Sequence, residues 1–451
     1  MKVHLIAIGG SAMHNLAIAL QQKGIQVTGS DDEIFDPAKT NLRKYGILPE
    51  KEGWDEGRIT SELDAVILGM HARSDNPELI KAQQLGLKIY SYPEYLYEQT
   101  KDKTRVVIAG SHGKTTITAI VLHALSYNKK KFDYLVGAAL EGFETSLHLS
   151  NDSSIAVFEG DEYLASTIDK RPKFLLYKPQ IALISGIAWD HVNVFPTYQS
   201  YLVQFENFIK QMPSGGSLVY CNTDEELNKL ATFIPKGVKA IPYGLPDYTV
   251  EEGITYLKEL GGNVQLEIFG KHNLTNLNGA REICKLIGLT DKEFNEAISS
   301  FKGAARRLQT LVRKPKCSIY WDFAHSPSKL KATIDAVKEQ FPKRKLVACM
   351  ELHTFSSLTK EFLTEYKGTM DKADVKNVYF NPHTLEHKKL PSLNPQEVKA
   401  FFGGNVEVYT DSQKMIASLK AMQWNDTNLL LMSSGNFDGV NVKELAGELS
   451  K

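Results

Sequence analysis

Residues 105–116 read RVVIAGSHGKTT, and the helix-forming stretch ITAIVLHAL follows at 117–125. The apolar run that ends at Ala109 predicts a buried strand, and the two glycines predict a turn leading into a helix. In such a unit, backbone N–H groups and the helix dipole face an anion, a lysine reaches the terminal phosphates, and a threonine hydroxyl can ligate Mg²⁺. We therefore predict an ATP-binding phosphate loop made of Gly110, Ser111, His112, Gly113, Lys114, Thr115 and Thr116.

The loop departs from the usual motif at one position. A glycine is expected five residues before Gly113, and Ile108 stands there, so the spacing is a shortened variant. The alternative is that Gly-Lys-Thr occurs by chance at the start of a helix. The strand, turn and helix that surround the motif favour an ATP site.

Around this loop, apolar runs of strand length alternate with segments of helix length, which is typical of α/β architecture. Polar residues 98–103 precede the strand of the loop, and another strand begins near 318 after a basic segment. We therefore predict three α/β domains, at residues 1–103, 104–302 and 303–451.

The composition excludes several classes of protein. The chain has 451 residues, 42% of them hydrophobic, and its 53 Lys+Arg balance 53 Asp+Glu. Because the net charge is +0, any anion site must be local, and we expect no nucleic-acid partner. We expect no membrane partner either, since no apolar run approaches the roughly 18 residues that span a bilayer. Four scattered cysteines and the absence of a signal-peptide pattern predict a reduced, cytoplasmic enzyme.

Two further strands end in polar residues. Residues 153–158 lead into Glu159, Asp161 and Glu162, and residues 181–187 lead into Asp190 and His191. A parallel sheet brings the carboxyl ends of its strands to one edge, beside the phosphate loop. We predict one cation bound by Thr115 and Glu159, and a second site that takes His191, although magnesium accepts nitrogen ligands reluctantly. Solvated acids at a strand end are the alternative.

A helix that opens near residue 270 carries Asn273 and Asn276 three positions apart, away from its apolar face. These side chains could reach a base or a substrate amide, or they could cap the helix.

Two candidate groups lie near the start of the third domain. Arg306 and Arg307 could bind a phosphoryl group together, although a solvated linker between two domains could contain the same pair of residues. Asp322 and His325 follow a strand, where α/β sheets present their ligands, and helix capping is the alternative for Asp322 or Ser326.

The chain opens with a β-α-β unit: a strand at 3–8, a Gly9-Gly10-Ser11 turn, a helix at 12–23 and a strand at 25–28. Asp31 lies about 20 residues beyond the turn, as in a dinucleotide site. The glycine fingerprint fails, however, because Ile8 and Met13 stand at its other two positions. A dehydrogenase is therefore disfavoured.

Six motifs, in chain order, resemble those of the Mur ligases, the ATP-dependent amide ligases of peptidoglycan synthesis. They are Gly110-Ser-His-Gly-Lys-Thr-Thr, Glu159-Gly-Asp-Glu, Asp190-His191, His272-Asn273-x-x-Asn276, Gly303-Ala-Ala-Arg-Arg and Asp322-Phe-Ala-His325-Ser-Pro. The resemblance covers essentially the whole chain. It implies a Rossmann-like first domain, a central phosphate-loop ATPase domain with a mostly parallel sheet, and a Rossmann-like C-terminal domain.

The resemblance also implies roles for individual residues. The catalytic residues would be Lys114, Arg307 and His191, with Thr115, Glu159 and His191 at magnesium. Besides the loop, ATP would be held by Asn273, Asn276, Arg307 and Asp322. The substrates would be bound by Gly9, Gly10, Ser11, Asp31, His71, His325 and His353.

Within the family, residues 8–14 and the acidic motif resemble ligases that act on UDP-N-acetylmuramate. Residues 159–174 look most like ligases that add L-alanyl-γ-D-glutamyl-meso-diaminopimelate through an acyl phosphate. The segment 351–355 is similar to ligases that add L-alanine, which is the alternative. Two departures are Gly160, where the family usually has alanine, and Ser326, where it has a second histidine. We expect a monomer or a weak homodimer; a third class, a nucleotide-gated binding protein, would hydrolyse ATP without forming an amide.

Overall fold

The computed structural model describes residues 1–70, 72–138, 140, 142–189 and 194–450. It separates into two compact units, residues 1–245 with 275–298, and residues 246–274 with 299–451. The domain boundaries at 103 and 302 stay predictions.

The first unit begins with a parallel four-stranded sheet in the order β2-β1-β3-β4. Residues Ala65–Leu68 are all buried, as expected when helices cover both faces of a parallel sheet. The strands are β1 Lys2–Ile6, β2 Gln26–Ser30, β3 Ala65–Leu68 and β4 Ile89–Ser91. The helices are α1 Ser11–Gln22, α2 Ala38–Lys44, α3 Pro77–Gln84 and α4 Tyr92–Thr100.

A seven-stranded sheet follows, in the order β11-β10-β9-β5-β8-β6-β7, with only the β6–β7 pair antiparallel. Its strands are β5 Thr104–Ala109, β6 Asp133–Leu135, β7 Leu147–His148, β8 Ile155–Glu159, β9 Ile181–Ile184, β10 Ser217–Cys221 and β11 Lys239–Tyr243. Its helices are α5 Lys114–Tyr127, α6 Lys173–Leu176, α7 Tyr198–Lys210 and α8 Glu225–Leu230. Because β5 lies between β9 and β8, the carboxyl ends of these three strands are neighbours.

A small antiparallel sheet, formed by β12 Tyr248–Glu251, β13 Ile254–Leu257 and β14 Val264–Leu266, was not predicted from the sequence. Its strands have only three or four residues and are mostly half-buried, so their apolar pattern is weak. Two helices follow, α9 Lys271–Leu286 and α10 Asp291–Ile298.

The second unit is built on a six-stranded sheet in the order β15-β16-β20-β17-β18-β19, in which only β15 is antiparallel to its neighbour. Successive residues of the strand at 345–352 point into different hydrophobic cores. Ala348 packs in the core that contains Leu330, and Cys349 packs in the core that contains Leu445. The strands are β15 Gln309–Lys314, β16 Cys317–Asp322, β17 Lys345–Leu352, β18 Val375–Phe380, β19 Glu407–Tyr409 and β20 Thr427–Met432. The helices are α11 Pro327–Gln340, α12 Lys360–Leu363, α13 Pro382–His387, α14 Pro395–Phe401, α15 Ser412–Lys420 and α16 Val442–Leu449.

The predicted α/β class with mostly parallel sheets is confirmed, but two strands are shorter than predicted. The first ends at Ile6 because Ala7, at φ 66, leaves the extended conformation. The strand at 181 ends at Ile184, and the residues after it bind the phosphate loop instead of continuing the ladder. Over the described part of the chain, no helix combines the length and the apolar character needed to cross a bilayer.

Candidate active site

The phosphate loop connects β5 to α5 and depends on two glycines. Gly110 (φ +123) and Gly113 (φ +80) adopt backbone conformations that L residues rarely adopt. A Cβ on Gly110 would also collide with Ser185, and one on Gly113 with the carboxamide of Asn276. The backbone therefore forms a cradle that a side chain would fill, as phosphate binding requires.

The two residues that follow the neighbouring strand β9 fix this loop. The Ser111 N–H donates to the carbonyl of Gly186 at 2.9 Å, and the Ser185 N–H donates to the carbonyl of Ala109 at 3.1 Å. The Ser185 hydroxyl donates to the carbonyl of His112. The loop is thus held rigidly at the carboxyl edge of the sheet.

Lys114 is the cation of the loop. Its Nζ donates to the carbonyl of Gly110 at 2.6 Å and to Oε2 of Glu162 at 2.7 Å. Burial lowers the pKa of Lys114, but the Glu162 carboxylate outweighs burial, and the pKa is raised from its ordinary value. The side chain therefore carries its positive charge at neutral pH.

Thr115, in the first turn of α5, meets Glu159, the last residue of β8. The Thr115 hydroxyl donates to Oε1 of Glu159 at 2.8 Å, and the Gly137 N–H donates to Oε2 at 2.7 Å. A hydroxyl and one carboxylate are the few protein ligands that Mg²⁺ takes when phosphates and water complete its coordination. Among the described residues, no group of three or more His, Cys, Asp or Glu is arranged to hold a metal. Asp190 and His191, of the predicted second site, lie outside the described residues.

A cavity of about 500 Å³ adjoins the loop at the carboxyl ends of β9 and β10. Asp224 shapes one wall, since its carboxylate accepts from the Ile187 N–H at 2.8 Å and caps α8 through the Leu227 N–H at 3.0 Å. The lining residues are Ser111, His112, Ser185, Gly186, Ala188, Thr223, Asp224, Glu225 and Glu226. Sequence reasoning missed Asp224, although an aspartate before two glutamates is a recognisable helix start.

The Gly9-Gly10-Ser11 turn follows β1, and Asp31 follows the neighbouring strand β2. Oδ2 of Asp31 accepts from the Gly9 N–H at 2.7 Å, and Oδ1 accepts from the Asp32 N–H at 3.0 Å. Gly10 and Ser11 begin α1. The structure therefore brings the predicted turn and the predicted acid together, whereas His71 lies outside the described residues.

Asp31 makes the stability of the protein depend on pH. Burial, together with Asp32, raises its pKa from 3.8 to about 6, so the folded protein holds the proton more tightly than the unfolded chain. The stabilising contribution is therefore full below about pH 4 and is lost as the pH rises through about 6. In urea unfolding from pH 4 to 7, we expect the stability of the wild type relative to Asp31→Asn to fall across this window. A difference that stays constant with pH would contradict the assignment.

Asp322 lies at the carboxyl end of β16, and both its oxygens bind backbone. Oδ2 accepts from the Leu308 N–H at 2.5 Å, and Oδ1 accepts from the Ala324 N–H at 2.6 Å. Burial raises the pKa of Asp322, and Arg307 opposes that shift. The residue that caps α11 is Ser326, without a side-chain bond, so the alternative of a cap at Asp322 is not observed.

The paired arginines have different surroundings. Arg306 donates to the carbonyl oxygens of Ser433, at 2.9 Å, and Gly435, and its guanidinium lies 4.5 Å from the ring of Trp321. Arg307 lies 4.8 Å from the ring of Phe323. Arg306 therefore fixes the loop after β20 and is not a solvated linker residue.

The remaining predicted residues are distributed over both units. In the first, Asn276 lies against Gly113. In the second, Asn273 donates to the carbonyl of Phe269 at 3.0 Å, His325 Nδ1 lies 2.8 Å from the carbonyl of Phe323, and His353 Nδ1 lies 3.7 Å from the Glu351 carboxylate. The structure thus brings Lys114, Thr115, Glu159 and Asn276 around one loop, and it places Asn273, Arg307, Asp322, His325 and His353 in the second unit.

Three family models match the chain in succession. Residues 2–104 match the model described as Mur ligase family, catalytic domain. Residues 108–284 match the Mur ligase middle domain, and residues 306–435 match the Mur ligase, glutamate ligase domain.

Curated proteins and solved structures agree with these matches. The chain is 30% identical over 384 residues to the UDP-N-acetylmuramate–L-alanine ligase of Levilactobacillus brevis, covering 82% of this chain and 81% of that protein. It is 26% identical over 471 residues to the UDP-N-acetylmuramate–L-alanyl-gamma-D-glutamyl-meso-2,6-diaminoheptandioate ligase of Escherichia coli, covering 100% and 99%. The crystal structure of a murein peptide ligase from Psychrobacter arcticus shares the fold, with a TM-score of 0.63, 22% identity and coverage of 100% and 99%.

Proposed function

The chain belongs to the Mur ligase family, and from that premise we propose that it joins the carboxylate of UDP-N-acetylmuramate to the amine of L-alanyl-γ-D-glutamyl-meso-diaminopimelate. Members of the family are ATP-dependent ligases that form amide bonds, and this chain is an enzyme of that class. The meeting of Lys114, Thr115 and Glu159 at one loop carries the ATP-dependent part of the proposal, and the match to the E. coli tripeptide ligase over 100% of this chain supports its substrates.

The chemistry needs an activated carboxylate, because hydroxide leaves too poorly for an amine to displace it. Bound ATP supplies the phosphoryl group for an acyl phosphate, from which the amine then displaces phosphate. In phosphoryl transfer a protein acts mainly by positioning and by neutralising charge. Lys114 serves both purposes, because its ammonium lies within hydrogen-bond distance of the Gly110 carbonyl, at the point where the loop bends.

Magnesium is the cation that the residues at this loop fit. Thr115 and Glu159 would hold it, one through a hydroxyl and the other through a carboxylate. Gly137 orients Glu159 from the other side, so the carboxylate keeps its direction when the threonine hydroxyl turns toward a cation. His191 is proposed as a further ligand and catalytic residue on resemblance alone.

Binding of the substrates is divided among the domains at 1–103, 104–302 and 303–451. In the first, the Gly9 turn and Asp31 would hold the UDP moiety, since the start of α1 offers N–H groups to phosphate. In the third, Arg307 would meet the transferred phosphate, and His325 and His353 would face the incoming peptide. Asn273, Asn276 and Asp322 would hold the adenosine end.

The alternative amine is L-alanine. The relative from L. brevis, which shares 30% identity, carries the name of an L-alanine ligase, whereas the tripeptide ligase of E. coli is matched over 100% of this chain. The two reactions share the activated carboxylate and differ in the nucleophile.

A panel of amines tests the proposal. Purified protein is mixed with ATP, Mg²⁺ and UDP-N-acetylmuramate, and either the tripeptide or L-alanine is added. We expect ADP, phosphate and a product with the mass of UDP-N-acetylmuramate plus the tripeptide minus one water only when both substrates are present, with kcat/KM at least about tenfold above that for L-alanine. Preference for L-alanine would reject the tripeptide while leaving ligation in place. Hydrolysis of ATP without any amide would point to the nucleotide-gated binding protein.

A further inference from the structure

An ion pair occupies the centre of the phosphate loop. Nζ of Lys114 lies 2.7 Å from Oε2 of Glu162, and it also donates back to Gly110 of its own loop. The Glu162 side chain is 1% exposed and the Lys114 side chain 15% exposed. The ammonium that should meet phosphate is therefore already bound to a buried anion.

The position of Glu162 is fixed from behind. The hydroxyl of Tyr201, on α7, donates to Oε1 of Glu162 at 3.1 Å. Tyr201 is fully buried, and its ring packs at 5.1–5.4 Å from those of Phe195 and Phe205. Since this aromatic cluster holds the carboxylate in place, the mobile partner of the pair is Lys114.

We propose that Glu162 is an exchangeable counter-ion of Lys114, which the phosphates of a nucleotide must displace as they bind. The proposal rests on the nucleotide site of the proposed function. A partly buried ammonium needs a negative partner, and Glu162 supplies one before any phosphate arrives. Phosphate oxygens then compete for the same donor, while the carboxylate stays nearby and repels them.

This competition makes Glu162 a positioning residue that sets the affinity of the site for anions. Pyrophosphate gains the N–H groups of the loop and the contact with Lys114, and it must remove that side chain from an existing partner. A nucleotide meets the same cost and also gains contacts through its base and sugar. Glu162 would thus lower the affinity for both ligands by the same factor, so that pyrophosphate, which makes fewer contacts, occupies less of the site.

Glu162→Gln tests the counter-ion directly. Glutamine has the same shape and can still accept from Tyr201, but it carries no charge. Calorimetric titration of the full chain with ADP, and separately with inorganic pyrophosphate, is done in magnesium-free buffer so that Glu159 is not engaged by a metal. We expect the Kd of each ligand to fall by about tenfold in the variant. We also expect the variant to melt lower without ligand and to gain more in Tm from ADP.

Two further variants make the test specific. The neighbouring Asp161 pairs with a different lysine, Lys173, at 2.7 Å, so Asp161→Asn should change the Kd of ADP by less than about twofold. Tyr201→Phe removes a hydrogen bond from Glu162 without changing charge. It should weaken ADP binding about two- to threefold, because the carboxylate then depends more on Lys114.

An unchanged or higher Kd of ADP in Glu162→Gln would overturn the proposal that Glu162 is the counter-ion. An equal gain in ADP affinity in Asp161→Asn would overturn it as well. If Glu162→Gln does not fold, tighter ADP binding by Tyr201→Phe would overturn it instead. These results leave the proposed function intact, provided that the wild type binds ADP. Wild-type protein that binds neither ADP nor pyrophosphate would overturn the nucleotide site, and the counter-ion with it.

Discussion

Replacing Lys114 by alanine is expected to lower the rate of ADP formation at least about 10³-fold when all three substrates are present. The ammonium is the cation that the phosphate loop directs at its ligand, and no rearrangement of the backbone replaces it. Its removal also leaves the buried Glu162 carboxylate without its cation, where it would repel phosphate. A coupled assay of ADP release measures the loss of turnover, and titration with ADP measures the loss of affinity.

A matched control for this variant is Lys210→Ala. Lys210 is exposed and pairs with the half-buried Glu206 on α7, at 3.2 Å, so turnover should stay within about twofold of the wild type. If Lys114→Ala turned over as fast as this control, the assignment of the phosphate loop would be wrong. Melting curves of both variants separate a loss of activity from a loss of folding.

Glu159→Gln is expected to reduce turnover about 10²-fold and to raise the Mg²⁺ concentration needed for half-maximal rate. The glutamine carbonyl can still accept from the Gly137 N–H, and its NH₂ group can donate to the Thr115 hydroxyl, so the local bonds and the fold should survive. What is lost is the negative charge that a hard divalent cation requires. Turnover is measured as a function of Mg²⁺ at saturating ATP, where a rightward shift of the curve identifies Glu159 as a metal ligand.

Glu206→Gln gives the corresponding control, because it removes a carboxylate from a half-buried helix position whose partner is Lys210. Its magnesium curve should overlay that of the wild type. A Glu159→Gln variant with reduced turnover but an unshifted magnesium curve would place the residue in positioning rather than in metal binding.

The predictability of this site was uneven along the chain. The loop at 110–116 was predictable because strand, glycine turn, lysine and helix are neighbours in sequence, and the backbone needs φ above 0 at both glycines. The small sheet formed by β12, β13 and β14 was not predictable, since its short, half-buried strands leave no clear period.

The sequence by itself determined the α/β class, the phosphate loop, the order of six motifs and, through them, the family. Only the tertiary structure decided which acid in the run 159–162 serves which partner: Glu159 meets Thr115, Glu162 meets Lys114 and Asp161 meets Lys173. It likewise separated Arg306, bound to the loop after β20, from Arg307. The physical reason is that adjacent residues share the same local pattern, whereas their partners are set by which strands become neighbours in the sheet, and here β5 pairs with β8 across more than forty residues.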